Sequence, residues 1–113
     1  MGDLPAGAAE KLAAIRRRFI ERAIEQRARL NLLSAALTAR SMAPDQLEEL
    51  GRICHSLHGA AGTFGFADIS RAAEEAEHAC DRAIERLPAG DAEAAMRLSS
   101  AVGRLIPLLD RLE

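Results

Sequence analysis

The chain has 113 residues, of which 15 are Lys or Arg and 17 are Asp or Glu, so its formal net charge is −2. This length is typical of one domain and leaves no room for a second domain with its own core. Hydrophobic residues make up 49 % of the chain and charged residues 28 %, a balance that argues against intrinsic disorder. Only three residues are aromatic, all of them Phe, while the chain is rich in Ala and Leu, which favour helices over strands. We therefore predict a single all-α domain over residues 1–113, with residues 1–7 flexible.

Periodicity and turn signals predict four helices, over residues 8–39, 44–64, 67–87 and 91–112. Pro44 suits the first turn of the second helix, and Gly65 marks the end of that helix. Asp91 is expected to cap the fourth helix, inside which Gly103 and Pro107 predict a kink or a weak last turn. Four amphipathic helices joined by short loops are typical of an antiparallel, up-down-up-down four-helix bundle.

The first helix is expected to bury one long apolar stripe. Its apolar residues recur every three or four positions from Leu12 and Ile15 to Leu37, with Gln26 filling the single gap. A helix of this length with one apolar face is typical of a bundle.

The first and third helices carry opposite charge. Residues 1–40 hold eight basic and four acidic groups, whereas residues 67–93 hold eight acidic and three basic groups. We expect the two helices to attract each other or a partner. The arginines alternate with glutamates and apolar residues, and no Tyr or Trp is present to stack on bases, so nucleic acid is not an expected partner.

Cys54 and Cys80 are the two cysteines, and both fall on apolar stripes, where a small buried thiol is the common role. The first residues lack the basic region and the apolar run of a secretory signal, and no stretch approaches the ~20 apolar residues that cross a bilayer. We therefore expect a cytoplasmic chain with reduced thiols and no membrane partner.

The second helix carries an unusual set of residues on the side opposite its apolar stripe. Gly51, Gly59 and Gly62 lie at i−4, i+4 and i+7 from His55, the spacing of neighbours on one helix face. Each glycine inside a helix costs about 1 kcal/mol relative to Ala. Glycines can also permit close helix packing, but packing would place them on the apolar stripe. The pattern therefore predicts an imidazole that stands clear on a flat, accessible surface, with Arg52 near it.

The nitrogen of a histidine is a usable nucleophile near neutral pH, which makes His55 a candidate for carrying a phosphoryl group. Such a group bears nearly two negative charges and would need space, nearby donors and no adjacent carboxylate. His58, at i+3, is expected to supply a donor when it is protonated, and Ser56 to supply a hydroxyl. The chain has no Gly-rich phosphate loop and no acidic Mg²⁺ motif on a loop, so it is not predicted to be a kinase by itself.

One run of residues resembles the signature of histidine-containing phosphotransfer (HPt) domains: it extends from His55 to Phe66 and reads HSLHGAAGTFGF. The family signature is His-[Ser/Thr]-Leu-Lys-Gly-[Ser/Ala]-Ala, followed by a glycine-bearing helix end. The resemblance covers essentially the whole chain, because these domains are four-helix bundles of about this length. It implies a phosphorelay protein whose His55 accepts a phosphoryl group from a receiver-domain aspartate or a sensor kinase and passes it to another receiver aspartate. His58 stands where the family usually has lysine, so the charge at this position depends on pH.

The resemblance also implies what the partners bring. The chain is expected to be a phosphoryl carrier and not an independent enzyme, with no cofactor of its own, because Mg²⁺ belongs to the partner receiver domain. The expected partners are a response-regulator receiver domain, a hybrid sensor histidine kinase, or both, and the chain is expected to be a monomer. The residues predicted to flank the phosphate are Ser56, His58, Gly59 and Gly62. The residues predicted to dock the partner are Gly51, Arg52, Phe66 and Ile69.

Two other functions fit parts of the sequence. A metal-binding bundle is one alternative, because residue types that bind metals occur at Cys54, His55, His58, His78 and Cys80. A non-catalytic interaction or dimerisation module is the other, because Phe66 and Ile69 offer an apolar patch beside the glycine face. A pure scaffold would bind its partner equally well after His55→Gln, whereas a phosphoryl carrier would lose its function.

Overall fold

A computed structural model describes residues 7–112 of the protein, which fold into four helices. The helices are α1, Ala8–Thr38; α2, Pro44–Thr63; α3, Ala67–Arg86; and α4, Ala92–Asp110. The predicted all-α, four-helix architecture is confirmed, with helix ends within one or two residues of the predicted ones. Residues 1–7 were predicted to be flexible. Residues 1–6 lie outside the described residues, and Gly7 is the N-cap of α1. Within residues 7–112, no helix is long and apolar enough to cross a membrane.

Each helix packs against the next one in the chain, and α4 closes the bundle against α1. Ion pairs cross these contacts: Arg29–Glu49 between α1 and α2 (2.5 and 2.7 Å), Glu75–Arg104 between α3 and α4 (3.5 Å) and Arg27–Asp110 between α1 and α4 (3.4 Å). Along the described part of the chain, α1 and α3 do not touch. The expected attraction between these two helices does not bring them into contact, because helices on the diagonal of a bundle are separated by its core; attraction of their charges to a partner stays a prediction.

The first helix is longer than the bundle that it belongs to. With 31 residues at 1.5 Å per residue, α1 spans about 46 Å, whereas the other helices have 19 or 20 residues. Leu12 and Ile15, predicted on the buried stripe, are 50 % and 48 % exposed, and Phe19 is the first buried residue of α1. Periodicity identified the correct face of the helix, but it carries no information on where the neighbouring helices end.

Local signals position the helix ends as predicted. Pro44 is the first residue of α2, and Asp91 caps α4 by accepting hydrogen bonds of 3.0 and 3.1 Å from two backbone N–H groups. Gly65 has a φ of 82°, a left-handed conformation that lets the chain turn sharply from α2 into α3. The fourth helix runs through Gly103 and Pro107 to its end at Asp110, so the proline does not terminate it.

The core is built from leucines, alanines and the two cysteines of the facing stripes, and no polar or charged side chain is buried in the described range. Ile84, near the end of α3, is 49 % exposed and lies outside this core. All three aromatic residues form one cluster, in which Phe19 of α1 packs on Phe64 and Phe66 with ring centroids 5.6 and 5.4 Å apart. This cluster attaches α1 to the loop between α2 and α3.

Candidate functional site

His55 lies near the middle of α2 and presents its imidazole on the surface, where 76 % of the side chain is exposed. Its neighbours in sequence on the buried side, Cys54 and Leu57, belong to the core and fix the rotation of the helix. The Nδ1 atom of His55 lies 2.6 Å from Oε2 of Glu77 on α3. Across the described residues, the other ring nitrogen, Nε2, has no hydrogen-bond or ion-pair partner.

Glu77 is ionised at neutral pH and therefore accepts the hydrogen bond from Nδ1–H of His55. Partial burial acts to raise the pKa of Glu77, but hydrogen bonds and charge interactions with His55 and His58 outweigh it and hold the pKa below its usual value. A proton held on Nδ1 leaves the lone pair of a neutral imidazole on Nε2. The contact therefore selects the tautomer in which the exposed nitrogen of His55 is the nucleophilic one.

This contact overturns one expectation from the sequence. A site for a phosphoryl group was expected to have no adjacent carboxylate, yet Glu77 touches the candidate nucleophile. The geometry removes the conflict, because the two ring nitrogens point in different directions and the carboxylate occupies the Nδ1 side. A phosphoryl group on Nε2 of His55 would lie across the ring from that charge.

His58 lies one helical turn after His55, and α3 engages both of its ring nitrogens. Nδ1 is 3.4 Å from Oε1 of Glu77, and Nε2 is 3.3 Å from Oε2 of Glu74. The side chain is 34 % exposed. For His58 to donate to a phosphoryl group on His55, as predicted, one of these two carboxylate contacts would have to break.

The three glycines of α2 do not share one environment. A Cβ atom on Gly59 would meet nothing within 4 Å, so the surface one turn from His55 is open. A Cβ on Gly51 would touch the Cβ of Cys80 at 3.8 Å, and one on Gly62 would lie 3.3 Å from Oγ of Ser70.

Gly62 therefore permits the close approach of Ser70 on α3, whereas a Cβ on Gly51 would make only an ordinary van der Waals contact with that helix. Gly59 and Gly62 are exposed, as the interpretation of a bare surface requires, and Gly51 is half-buried. The bare surface is narrower than predicted on the Gly51 side, because α3 reaches the flank of α2 on which His55 lies. The role of these glycines beside the histidine stays a prediction.

The other predicted residues divide between surface and core. Arg52 and Ser56 are exposed on α2, and the Ser56 side chain makes no hydrogen bond to a described residue. Ile69 is only 4 % exposed, so its predicted part in a docking surface is wrong: it lies on the core face of α3. Phe66 is half-buried, because Phe19 packs on it and the guanidinium of Arg16 lies 4.8 Å from its ring centroid. Its predicted docking role is thus limited to the part of the ring that α1 leaves uncovered.

Cys54 and Cys80 face each other across the contact between α2 and α3, and both are buried, as predicted. A hydrogen bond to Cys80 and burial together raise the pKa of the Cys54 thiol, so it stays protonated at neutral pH. In the range 7–112, no three His, Cys, Asp or Glu side chains are arranged to hold a metal ion. The described residues therefore give the metal-binding alternative no support.

Glu74 and Glu77 were not identified from the sequence, although the acidic excess of their helix was. A usable signal existed: in an antiparallel helix pair, residues at similar distances from the loop face each other. His55 lies ten residues before Gly65 and Glu77 lies twelve residues after it. Combining the predicted loop with the predicted topology would have placed an acid of the third helix opposite His55.

The family model of the Hpt domain matches residues 14–113, and the chain belongs to this family. Hpt domains are phosphocarrier modules of phosphorelays, and receiver domains and kinases are the partners of the family. No curated protein and no solved structure matches the chain.

Proposed function

We propose that the protein carries a phosphoryl group on Nε2 of His55 and exchanges it with the aspartates of receiver domains. The observation that carries this proposal is the arrangement of His55, whose Nδ1 is bonded to Glu77 while its exposed Nε2 has no partner among the described residues. Gly59, one turn further along α2, leaves open space beside the ring. A bulky phosphoaspartate on a partner can thus approach His55 without displacing a side chain at that position.

The proposed transfer step conserves charge and requires no proton to leave the imidazole ring. The lone pair of Nε2 on His55 attacks the phosphorus of the partner's aspartyl phosphate, and the P–O bond to the aspartate breaks. The electron pair of that bond leaves with the aspartate as a carboxylate. The phosphorylated ring, which still holds Nδ1–H, takes up a positive charge that Glu77 stabilises through its hydrogen bond. Transfer to the next receiver aspartate is the reverse of this step.

The partner supplies the rest of the chemistry. We assign Mg²⁺ to the receiver domain, and any nucleotide to a hybrid sensor kinase. On α2, Arg52 and Gly59 are exposed on the same side of the helix as His55, and we assign them to the contact with the partner, together with the exposed Ser56 on the adjoining side. The chain acts as a monomer in this scheme, and nucleic acid has no part in it.

The test is phosphoryl transfer from an isotopically labelled, phosphorylated receiver domain to the purified chain. We expect a label that is lost in acid and stable in base, as phosphoramidates on histidine are, and ³¹P–¹H correlation should place it on Nε2. The matched control is His55→Gln, which removes the nucleophile but leaves the core unchanged. Equal labelling of the wild type and His55→Gln would refute the proposal. Partner binding that is unaffected by phosphorylation and by His55→Gln would favour an interaction module instead.

A further inference from the structure

The first turns of α1 extend past the rest of the bundle and carry an apolar face that is largely uncovered. Residues 8–18 precede Phe19, the first buried residue of α1, and account for about 16 Å of the length of the helix. On this stretch, Leu12 and Ile15 are 50 % and 48 % exposed. They continue the spacing of three and four residues that leads to the buried Phe19 and Ala23, so they point to the side of α1 on which the core lies.

The end of the bundle forms a floor below this face. The chain turns from α2 into α3 at Gly65, and Phe66 of this turn packs on α1. Next to Phe66, a cavity of about 360 Å³ opens between the turn and the last residues of α4, where Leu108 and Leu112 line it. The face of α1 and this floor together border a recess, which we call the end notch: residues 8–18 of α1 with Phe66, Leu108 and Leu112.

Basic side chains border the apolar face of α1 on both sides. Lys11, Arg18 and Arg22 are seven and four residues apart, so they lie in one row along the helix, and all three are exposed. Among the described residues, none of the three has an ion-pair or hydrogen-bond partner. We call this row the basic flank. On the other border, the guanidinium of Arg16 lies 4.8 Å from the ring centroid of Phe66.

The acidic side chains of the same stretch lie on the far side of α1. Glu10 and Glu21 are eleven residues apart, about three turns of helix, and both lie half a turn away from the apolar face. Arg17 lies on the far side as well. Over residues 8–22, the side of α1 that faces the notch therefore carries cations without acids.

This charge pattern selects the occupant of the notch. Two copies of the chain that met here through a two-fold axis would place the same surface against itself. Their basic flanks would then repel each other, with no acid between them. A flat bilayer does not fit either, because the bundle, 23 Å by 21 Å across, lies on the same side of α1 as Leu12 and Ile15 and holds a membrane away from them. The recess instead suits an element about as wide as one helix, ~10 Å, whose apolar side chains are bordered by acids.

We propose that the end notch binds an acidic amphipathic helix of a partner protein. Apolar side chains of that helix cover Leu12 and Ile15, and its carboxylates pair with the basic flank. This interaction goes beyond the proposed function, because it involves neither His55 nor the phosphoryl group. His55 lies nine residues before Phe64, which separates it from the turn at the floor of the notch by about 14 Å along α2. The notch can therefore be occupied while His55 reacts.

The test is a titration of the ¹⁵N-labelled full chain with a synthetic acidic helix, followed through the amide chemical shifts. The probe is a side-chain-crosslinked peptide of about 14 residues, or four turns, with Leu along one face and Glu on both borders of that face. We expect shifts at Leu12, Ile15 and Phe66, and a Kd that rises with salt. The same peptide with Lys in place of Glu is the matched probe and should bind at least about tenfold more weakly.

Two substitutions at adjacent positions of α1 give the sharpest comparison. Arg18→Glu reverses one charge of the basic flank, whereas Arg17→Glu makes the same change in net charge on the far side of the helix. We expect the Kd of the acidic peptide to rise about tenfold in Arg18→Glu and less than about twofold in Arg17→Glu, because only the first turns an attraction across the notch into a repulsion. Leu12→Ser should also raise the Kd about tenfold, since it removes one of the two exposed apolar side chains.

A control separates loss of binding from loss of the fold. Phosphoramidate, a small phosphoryl donor to imidazoles, should label His55 at the wild-type rate in all of these variants, because none of them touches α2. A wild type that takes up no label but binds the acidic peptide in the notch refutes the proposed function of His55 and leaves the notch standing.

Several results would overturn the notch. Equal affinity for the Glu and Lys peptides would do so, as would equal effects of Arg17→Glu and Arg18→Glu. Sedimentation velocity that shows dimers of the wild type, lost in Leu12→Ser, would assign this face to a second copy of the chain. Co-sedimentation with phosphatidylglycerol vesicles that is lost in Leu12→Ser would assign it to a lipid surface, and either assignment contradicts the proposal.

Discussion

Nδ1 of His55 and Oε2 of Glu77 lie 2.6 Å apart, although the two residues are separated by 22 positions in the chain and belong to different helices. The proposed nucleophile and the acid that orients it are thus brought together by the packing of α2 against α3. Any change that separates these helices or removes the acid should therefore alter the chemistry of His55.

Substitution of Glu77 should slow phosphorylation of His55 without unfolding the protein. Glu77→Gln keeps an oxygen that can accept from Nδ1–H but loses the negative charge, whereas Glu77→Ala loses both. A hydrogen bond to a charged group contributes about 1.5–3 kcal/mol, so we expect labelling by phosphoramidate to fall by about tenfold or more in Glu77→Ala and by less in Glu77→Gln. Initial rates of label uptake test this order. Equal rates in all three proteins would show that Glu77 does not act on the ring.

Gly59→Glu should block transfer from a receiver domain while leaving the bundle folded. The new side chain projects into space that is empty within 4 Å, so it does not disturb the core, but it places bulk and negative charge one turn from His55. Gly59→Gln separates the two effects, because it adds the same bulk without the charge and should impair transfer less. Gly103→Glu is the matched control, since Gly103 is also an exposed helical glycine with nothing within 4 Å and lies on α4. Circular dichroism checks the fold, and single-turnover transfer checks the function; normal transfer by Gly59→Glu would contradict the prediction.

Arg40→Gly should stabilise the protein. Arg40 follows the end of α1 with a φ of 55°, a left-handed conformation that is strained for any residue with a Cβ atom. We expect a gain of about 0.5–1 kcal/mol in the free energy of unfolding, after the greater freedom of glycine in the unfolded chain is subtracted. Urea denaturation measures this change in the free energy of unfolding. Arg40→Ala removes the same charge but keeps the strain, so the prediction fails if the Gly and Ala variants are equally stable.

The pair Arg29–Glu49 should make stability depend on pH in the acid range. The hydrogen bond from Arg29 lowers the pKa of Glu49, against the opposing effect of burial, and the charges of Arg29 and Arg52 lower it further. A carboxyl group whose pKa is lower in the folded state stabilises the fold above its unfolded pKa, and this contribution is lost as the pH falls through the folded pKa.

The stability of the wild type should therefore decrease more steeply than that of Arg29→Gln as the pH drops below about 5, where the carboxyl groups of the unfolded chain begin to take up protons. Urea midpoints at several pH values give the two slopes. Parallel slopes would show that this ion pair does not hold the Glu49 pKa down.

Cys54 and Cys80 should be inert in the folded protein. Both thiols are buried, and the raised pKa of Cys54 keeps it from forming the reactive thiolate. A thiol reagent such as 5,5′-dithiobis(2-nitrobenzoic acid) should react slowly under native conditions and titrate two thiols once denaturant is added. Rapid reaction of either thiol before unfolding would contradict the described packing.

Much of the fold and part of the site were predictable from the sequence, because they depend on local physical chemistry. Helical periodicity, Pro44, Gly65 and Asp91 act within a few residues of themselves, and they place the helices to within one or two residues. The exposure of His55 follows in the same way, since it lies opposite the apolar stripe of its own helix.

What tertiary structure alone decided is which surfaces of different helices meet. The approach of α3 toward the flank of α2 sets Ser70 against Gly62, Cys80 beside Cys54 and Glu77 against His55. None of these outcomes follows from the periodicity of a single helix, because the rotation and register of one helix against another depend on how all four stripes pack together. The sequence by itself determined a four-helix protein with an accessible histidine, and helix packing decided which acid contacts that histidine and which of its ring nitrogens has no partner among the described residues.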